Sequence, residues 1–142
     1  MTSERLFLID PHKGVGPVRF GMPRAEVMKV LGSSPRTVDR REEGGNLIDQ
    51  FLEWDRLQVL YGADERVVAV QFPETAKVVY PPDVNMGRSF ATIVKWAKSR
   101  DPKIVANKRS FRSDALGISG RAHFDEPRLE SLLVYQPHYY TD

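Results

Sequence analysis

Two stretches of the chain space their apolar residues as a helix does, and each is followed by runs alternating between apolar and polar residues. In the first, Met22–Gly32, the residues Val27, Val30 and Leu31 recur at i, i+3 and i+4, on one helical face. Pro23 suits the first helical turn, where its missing N–H costs little, Gly32 suits a left-handed stop, and Pro35 prevents resumption. The spacing predicts a helix over about Pro23–Leu31. Asp39–Asn46 is polar and glycine-containing, as an exposed loop or hairpin tip would be. Strands are expected over Leu47–Trp54, Leu57–Tyr61 and Arg66–Phe72, with a turn at Gly62–Glu65 and Pro73 as the stop.

The second stretch repeats this plan. Gly87–Lys98 aligns with Gly21–Gly32 at a constant offset, so that Gly21 meets Gly87, Ala25 meets Ala91, Val27 meets Ile93 and Lys29 meets Lys95. Ser89 is placed to cap this helix, and Phe90, Ile93, Val94 and Ala97 form its apolar stripe. Asp101-Pro102 ends it, because proline disfavours helical backbone in the residue before it. Strands follow around Ile104–Phe111, Leu116–Phe124 and Leu129–Tyr135, and the turn at Asp64–Arg66 matches Asp125–Arg128. The expected fold class is α+β: two α-β-β-β repeats, about 14–73 and 81–137, forming a mainly antiparallel sheet with the helices packed on one face. One helix over three strands has little core of its own, so the halves are expected to share a sheet. The apolar segment Thr75–Pro82 is then a connection rather than a free linker, and residues 1–142 form a single domain.

Length and composition narrow the function. A chain of 142 residues is of ordinary single-domain size, and it contains no cysteine, which removes disulfides, thiolate metal sites and cysteine nucleophiles. Only Leu6–Ile9 are apolar before Asp10 and Pro11, too few for an export signal, and no run approaches a membrane span. A cytoplasmic protein with no membrane association is expected, and self-association is left open. Net charge is only +2, but Lys95, Lys98, Arg100, Lys103, Lys108, Arg109 and Arg112 are opposed in their stretch by Asp101 alone. Such local asymmetry can steer an acidic partner, or it can be a solvated face.

No motif announces catalysis. His12, His123 and His138 lack metal-ligand spacing, so neither a metal nor a cofactor is expected. Ser119 lacks the glycine spacing of a nucleophile elbow and is read as no partner for His123 in catalysis. Gly14-x-Gly16 is followed by Pro17, which removes a donor that a phosphate loop would need. Glu53 and Asp55 flank Trp54 as alternate strand residues would, and are read as solvent-facing. Aromatics are the better lead, since Tyr and Trp combine contact area with a polar handle. Trp54 and Tyr61 are candidate anchors on a sheet face, with Lys108, Arg109 and Arg112 at its rim. Tyr139 and Tyr140, in the tail Pro137–Asp142, either reach a partner or fold back on the domain.

The segment Gly14-Val-Gly-Pro-Val-Arg-Phe-Gly-Met-Pro-Arg-Ala-Glu-Val-Met-Lys-Val-Leu-Gly32 resembles the opening helix signature of bacterial helix-plus-meander domains. These include β-lactamase inhibitory proteins, small outer-membrane assembly lipoproteins and short toxin-neutralising immunity proteins. The chain departs from the lipoproteins in lacking a lipidated cysteine, and from the secreted inhibitors in lacking disulfides. The resemblance implies a binding scaffold. The leading expectation is a non-catalytic protein-binding module, an inhibitor or immunity protein that blocks a partner such as a toxin or enzyme. The alternative is a binder of nucleic acid or another anionic ligand through Lys95–Arg112, although aromatics are scarce within that cluster. An enzyme with an unrecognised site is the third reading.

Overall fold

The alternation in the sequence becomes a wide antiparallel sheet with one dressed and one bare face. The computed structural model describes residues 6–74 and 76–140; Met1–Arg5, Thr75, Thr141 and Asp142, with the expectations that fall on them, lie outside the described residues. The chain opens with three strands, β1 (Leu6–Asp10), β2 (Gly14–Val15) and β3 (Val18–Arg19), before helix α1 (Arg24–Leu31). Four strands follow: β4 (Arg36–Asp39), β5 (Leu47–Phe51), β6 (Leu57–Tyr61) and β7 (Val67–Pro73). Two more, β8 (Lys77–Tyr80) and β9 (Val84–Asn85), precede helix α2 (Phe90–Arg100). The last four are β10 (Val105–Ala106), β11 (Ser110–Ser113), β12 (Ile118–Ala122) and β13 (Leu129–Tyr135).

These strands form an eight-stranded sheet in the order β10-β11-β12-β13-β7-β6-β5-β4 and a five-stranded sheet in the order β3-β2-β1-β8-β9. The large sheet is antiparallel throughout, and its centre is the pairing of β7 with β13, Val70 opposite Val134 and Phe72 opposite Leu132. In the small sheet β1 and β8 run parallel. The fold is thus α+β with mainly antiparallel sheets. The segment expected as a plain connection contains β8, a strand that gives β1 its partner. Each helix is followed by four strands rather than three. Arg36–Asp39 was not foreseen because all four residues are exposed and carry no apolar face. The run Ile104–Phe111 is broken into β10 and β11 because Asn107 Oδ1 accepts from the backbone N–H groups of Arg109 and Ser110, closing a tight turn.

Both helices bury their apolar sides against the same face. In α1 the buried residues are Val27 and Leu31, with Met28 half-buried, whereas Val30 is exposed; the buried stripe is rotated away from the expected position. Gly32 takes the left-handed conformation (φ 63°) and its N–H bonds to Met28 O, as a helix stop requires. In α2, Ser89 Oγ accepts from Thr92 N at 3.2 Å and Ile93 and Ala97 are buried, matching the expected cap and stripe. The core beneath contains Phe51, Leu57, Val59, Val70, Phe72, Ile118, Leu132 and Val134 from the large sheet, and Phe7, Ile9 and Val78 from the small one. Phe7 and Phe72 join the sheets, their ring centroids 4.9 Å apart.

Two polar pins cross this core. Arg24 of α1 bonds both oxygens of the fully buried Asp49, at 2.7 and 3.0 Å, and Thr37 Oγ1 donates to Asp49 Oδ1 at 2.7 Å. At the far side Ser113 Oγ donates to Asp101 Oδ2 at 2.7 Å, both residues being buried. Asp101, expected only as part of a helix breaker, therefore ties the end of α2 to β11. Each helix start also touches the end of a hairpin: Pro23 bridges Arg66, and Ser89 bridges Arg128.

Candidate functional site

Because side chains alternate across a strand, burying one face of the large sheet leaves the intervening residues on the other. Register aligns those residues in rows. Gln50, Gln58 and Gln71 lie opposite one another on β5, β6 and β7, and the row continues through Leu133, Ser119 and Arg112. All six are half-buried. Arg36 on β4 and Val105 on β10 terminate the row. A second row runs from Pro73 through Ser131 and Arg121 to Ser110. Neither helix covers these rows.

The bare face is a groove. Its larger part, about 670 Å³, lies over β10–β13 and is lined by Arg109, Arg112, Arg121, Ser119, Leu133 and Tyr140 among others, with no carboxylate in its wall. A second part of about 360 Å³ lies over Gln50, Gln58, Arg56 and Glu130. Gln71, Arg121 and Ser131 line both, so the two are continuous. Arg109 and Arg121 are exposed and form no ion pair with any described residue. Their positive charge is therefore uncompensated at short range.

The C-terminal tail walls one side. Gln136 N bonds to Val68 O, and Tyr139 packs on Leu60, Ala69 and Tyr135, the apolar residues of the same face. The three rings of Tyr135, Tyr139 and Tyr140 meet pairwise with centroids 4.9 to 5.6 Å apart. Tyr140 is held at the groove edge from two directions: its hydroxyl lies 3.2 Å from Ser119 Oγ, and the Arg112 guanidinium sits 4.4 Å above its ring. Arg112 also bonds Asp114 Oδ2 at 3.1 Å, while the Tyr135 hydroxyl donates to Asp114 Oδ1 at 2.9 Å. Desolvation works against the Asp114 charge, but these two donors outweigh it and hold the carboxyl below its ordinary range. Burial, reinforced by Asp114, pushes the Tyr135 hydroxyl up.

The structure divides the residues singled out in the sequence. Arg109, Arg112 and Tyr140 line the groove, and Tyr139 supports its wall, so the described part of the tail, to Tyr140, folds back on the domain. Lys108 is exposed at the β10–β11 turn, outside the groove lining. Tyr61 is a correction: at 1% exposure it belongs to the core, because Leu57, Val59 and Tyr61 all face the helices. Its hydroxyl lies beside Asp49 without a well-formed hydrogen bond to any described residue, and burial, with Asp49 adding, pushes it up. Trp54 is likewise no free anchor on the bare face. It is half-buried, donates Nε1–H to Leu31 O at 2.7 Å and packs near Phe7. Glu53 and Asp55 do not share a strand face, since β5 ends at Phe51 and Leu52–Trp54 form a 3-10 turn. Both remain exposed.

The basic run Lys95–Arg112 does not form one patch. Lys95 and Lys98 are exposed on α2, which packs on the dressed face, whereas Arg112 points from the bare one. Sequence reasoning missed Arg121 and the glutamine row, which become visible only once register is known. Among the described residues no group of three or more histidines or acids is placed to hold a metal ion, and no helix is long and apolar enough to cross a membrane. The chain matches no family model, and comparison with curated proteins and with solved structures gave no significant match.

Proposed function

We propose that this protein is a non-catalytic binding module that engages another protein through the bare face of its large sheet, as an inhibitor or immunity protein does. The observation that carries this reading is the continuous groove over β5–β7 and β10–β13, with a preformed floor of in-register polar side chains and an aromatic wall. A sheet floor positions side chains more rigidly than loops do, and a half-buried mixed surface suits recognition of a protein partner. The resemblance of Gly14–Gly32 to bacterial inhibitor and immunity scaffolds points the same way, and a cytoplasmic setting accompanies it.

A duplication of one unit supports the breadth of the surface. A helix followed by four strands occurs twice, with β1, α1 and β4–β7 answered by β8, α2 and β10–β13, although three strands precede α1 and two precede α2. The bridges Pro23–Arg66 and Ser89–Arg128 occupy equivalent places, and β7 pairs with β13 where the two sets of four strands meet. Doubling a four-stranded unit in this way produces a face twice as wide, with its groove crossing the junction.

Position-specific photo-crosslinking in the native host tests the reading. A photoreactive side chain at Gln58 should give an adduct with one protein, and the same group at Lys98 on α2 should not. The recovered partner should lose activity when mixed with the pure protein. Adducts from Lys98 alone, or none from either position, would overturn the assignment of this face.

A further inference from the structure

Building on that reading, we infer that the groove takes an extended acidic segment of the partner, laid across the strands with its carboxylates over Arg109 and Arg121. The dimensions suit such a segment. From β11 to β5 the row crosses five inter-strand gaps, about 24 Å at the usual strand spacing. An extended chain covers that distance with about seven residues.

Chemistry sets the orientation. The part of the groove over β10–β13 is lined by three arginines and no carboxylate. Arg112 is already bonded to Asp114 beside it, whereas Arg109 and Arg121 have no ion pair with any described residue and attract an anionic side chain entering there. The guanidinium fork matches a carboxylate with two parallel N–H donors. Towards β5 the floor changes to Gln71, Gln58 and Gln50, each of which offers an amide donor and acceptor to a passing main chain. The acidic residues of the segment therefore lie at the β10–β13 end and its neutral polar residues at the β5 end.

Nucleic acid fits the same surface less well. Single-stranded binders stack bases on successive aromatic rings. Of the aromatic residues lining the groove, Phe72 and Phe111 are buried in the core and Tyr140 is already engaged by Arg112 and Ser119. The lysines of α2, which would lengthen a phosphate track, lie on the opposite side of the sheet.

Fluorescence anisotropy on the full chain at low salt separates the cases. The probes are a labelled oligo-glutamate peptide of about seven residues, an oligo-lysine of equal length and a short oligothymidylate. The glutamate peptide should bind and the lysine peptide should not. The double variant Arg109→Gln/Arg121→Gln should weaken it by about tenfold or more, since two charge-assisted hydrogen bonds are lost. Lys95→Gln/Lys98→Gln should leave it unchanged. Both pairs are exposed and outside the core, and an unchanged melting temperature confirms that the variants are folded. No glutamate binding, equal loss in the α2 variant, or tighter binding of oligothymidylate would overturn the inference. If glutamate binding fails while crosslinks still map to Gln58, the acidic segment falls and the protein-binding face stands.

Discussion

Arg24 grips both oxygens of Asp49, and that two-point contact joins the first turn of α1 to the floor beneath it. Asp49 is fully buried, and its oxygens are met by the guanidinium and by Thr37. Arg24→Ala should lower stability by about 3–5 kcal/mol, because it strands a buried carboxylate. Replacing both partners, Arg24→Met with Asp49→Leu, should restore most of the loss, since no charge is then left unpaired. Urea denaturation of the three variants measures both effects.

The Tyr80 hydroxyl donates to Leu116 O at 2.9 Å, and burial pushes it from 10.0 up to about 12. The folded state thus prefers the neutral phenol more strongly than the unfolded chain does. That preference stabilises the fold fully below pH 10.0 and is lost as the pH rises through about 12. Tyr80→Phe should cost about 1 kcal/mol at neutral pH, by removing the hydrogen bond. Its stability should fall less steeply than that of the wild type over this alkaline window. Denaturation midpoints measured across the window, alongside tyrosinate absorbance, check the slope.

Asp114 connects Tyr135 and Arg112, and Arg112 in turn sits over Tyr140. Its carboxyl is held below 3.8, so the link is intact above that value and lost as pH falls through the lowered one. Asp114→Asn should release Arg112 from its ion pair at neutral pH. Amide exchange at Tyr139 and Tyr140 should then speed up while the exchange of β7 and β13 stays slow. An unchanged tail would show that aromatic packing alone holds it.

Gly14 owes its place to closeness of backbone rather than to phosphate. A Cβ there would meet Val18 O and come within 2.9 Å of Arg19 Cα, both main-chain atoms that have nowhere to move. Gly14→Ala should therefore open the β2–β3 hairpin and cost about 1–3 kcal/mol, the usual range for overpacking. Thermal unfolding reads the loss.

The helices and the central strands were legible because each carries its own signal: Ser89 for a cap, Gly32 for a stop, Leu57 and Val59 for a face. The surface was not. Whether Tyr61 or Leu60 faces the partner depends on which side of the sheet the helices cover, and both alternation patterns look alike in one dimension. Gln50, Gln58 and Gln71 lie far apart in the chain and unite only through register. Arg121 stands outside the basic run and carries no signal of its own in the sequence, whereas Lys95 and Lys98 belong to the run although the fold sends them to the other side. Asp101 was legible as a breaker and illegible as a buried hydrogen-bond acceptor.

The pairing of β7 with β13 also bears on how the chain is born. While the first half leaves the ribosome, β7 has an open, largely apolar edge whose partner, Leu129–Tyr135, does not yet exist. The parallel mate of β1 also arrives only with β8. An unpaired edge of this kind invites pairing with a neighbouring chain. Nascent chains on crowded polysomes are therefore exposed to cross-pairing until β13 is made, and truncation before Leu129 should increase aggregation.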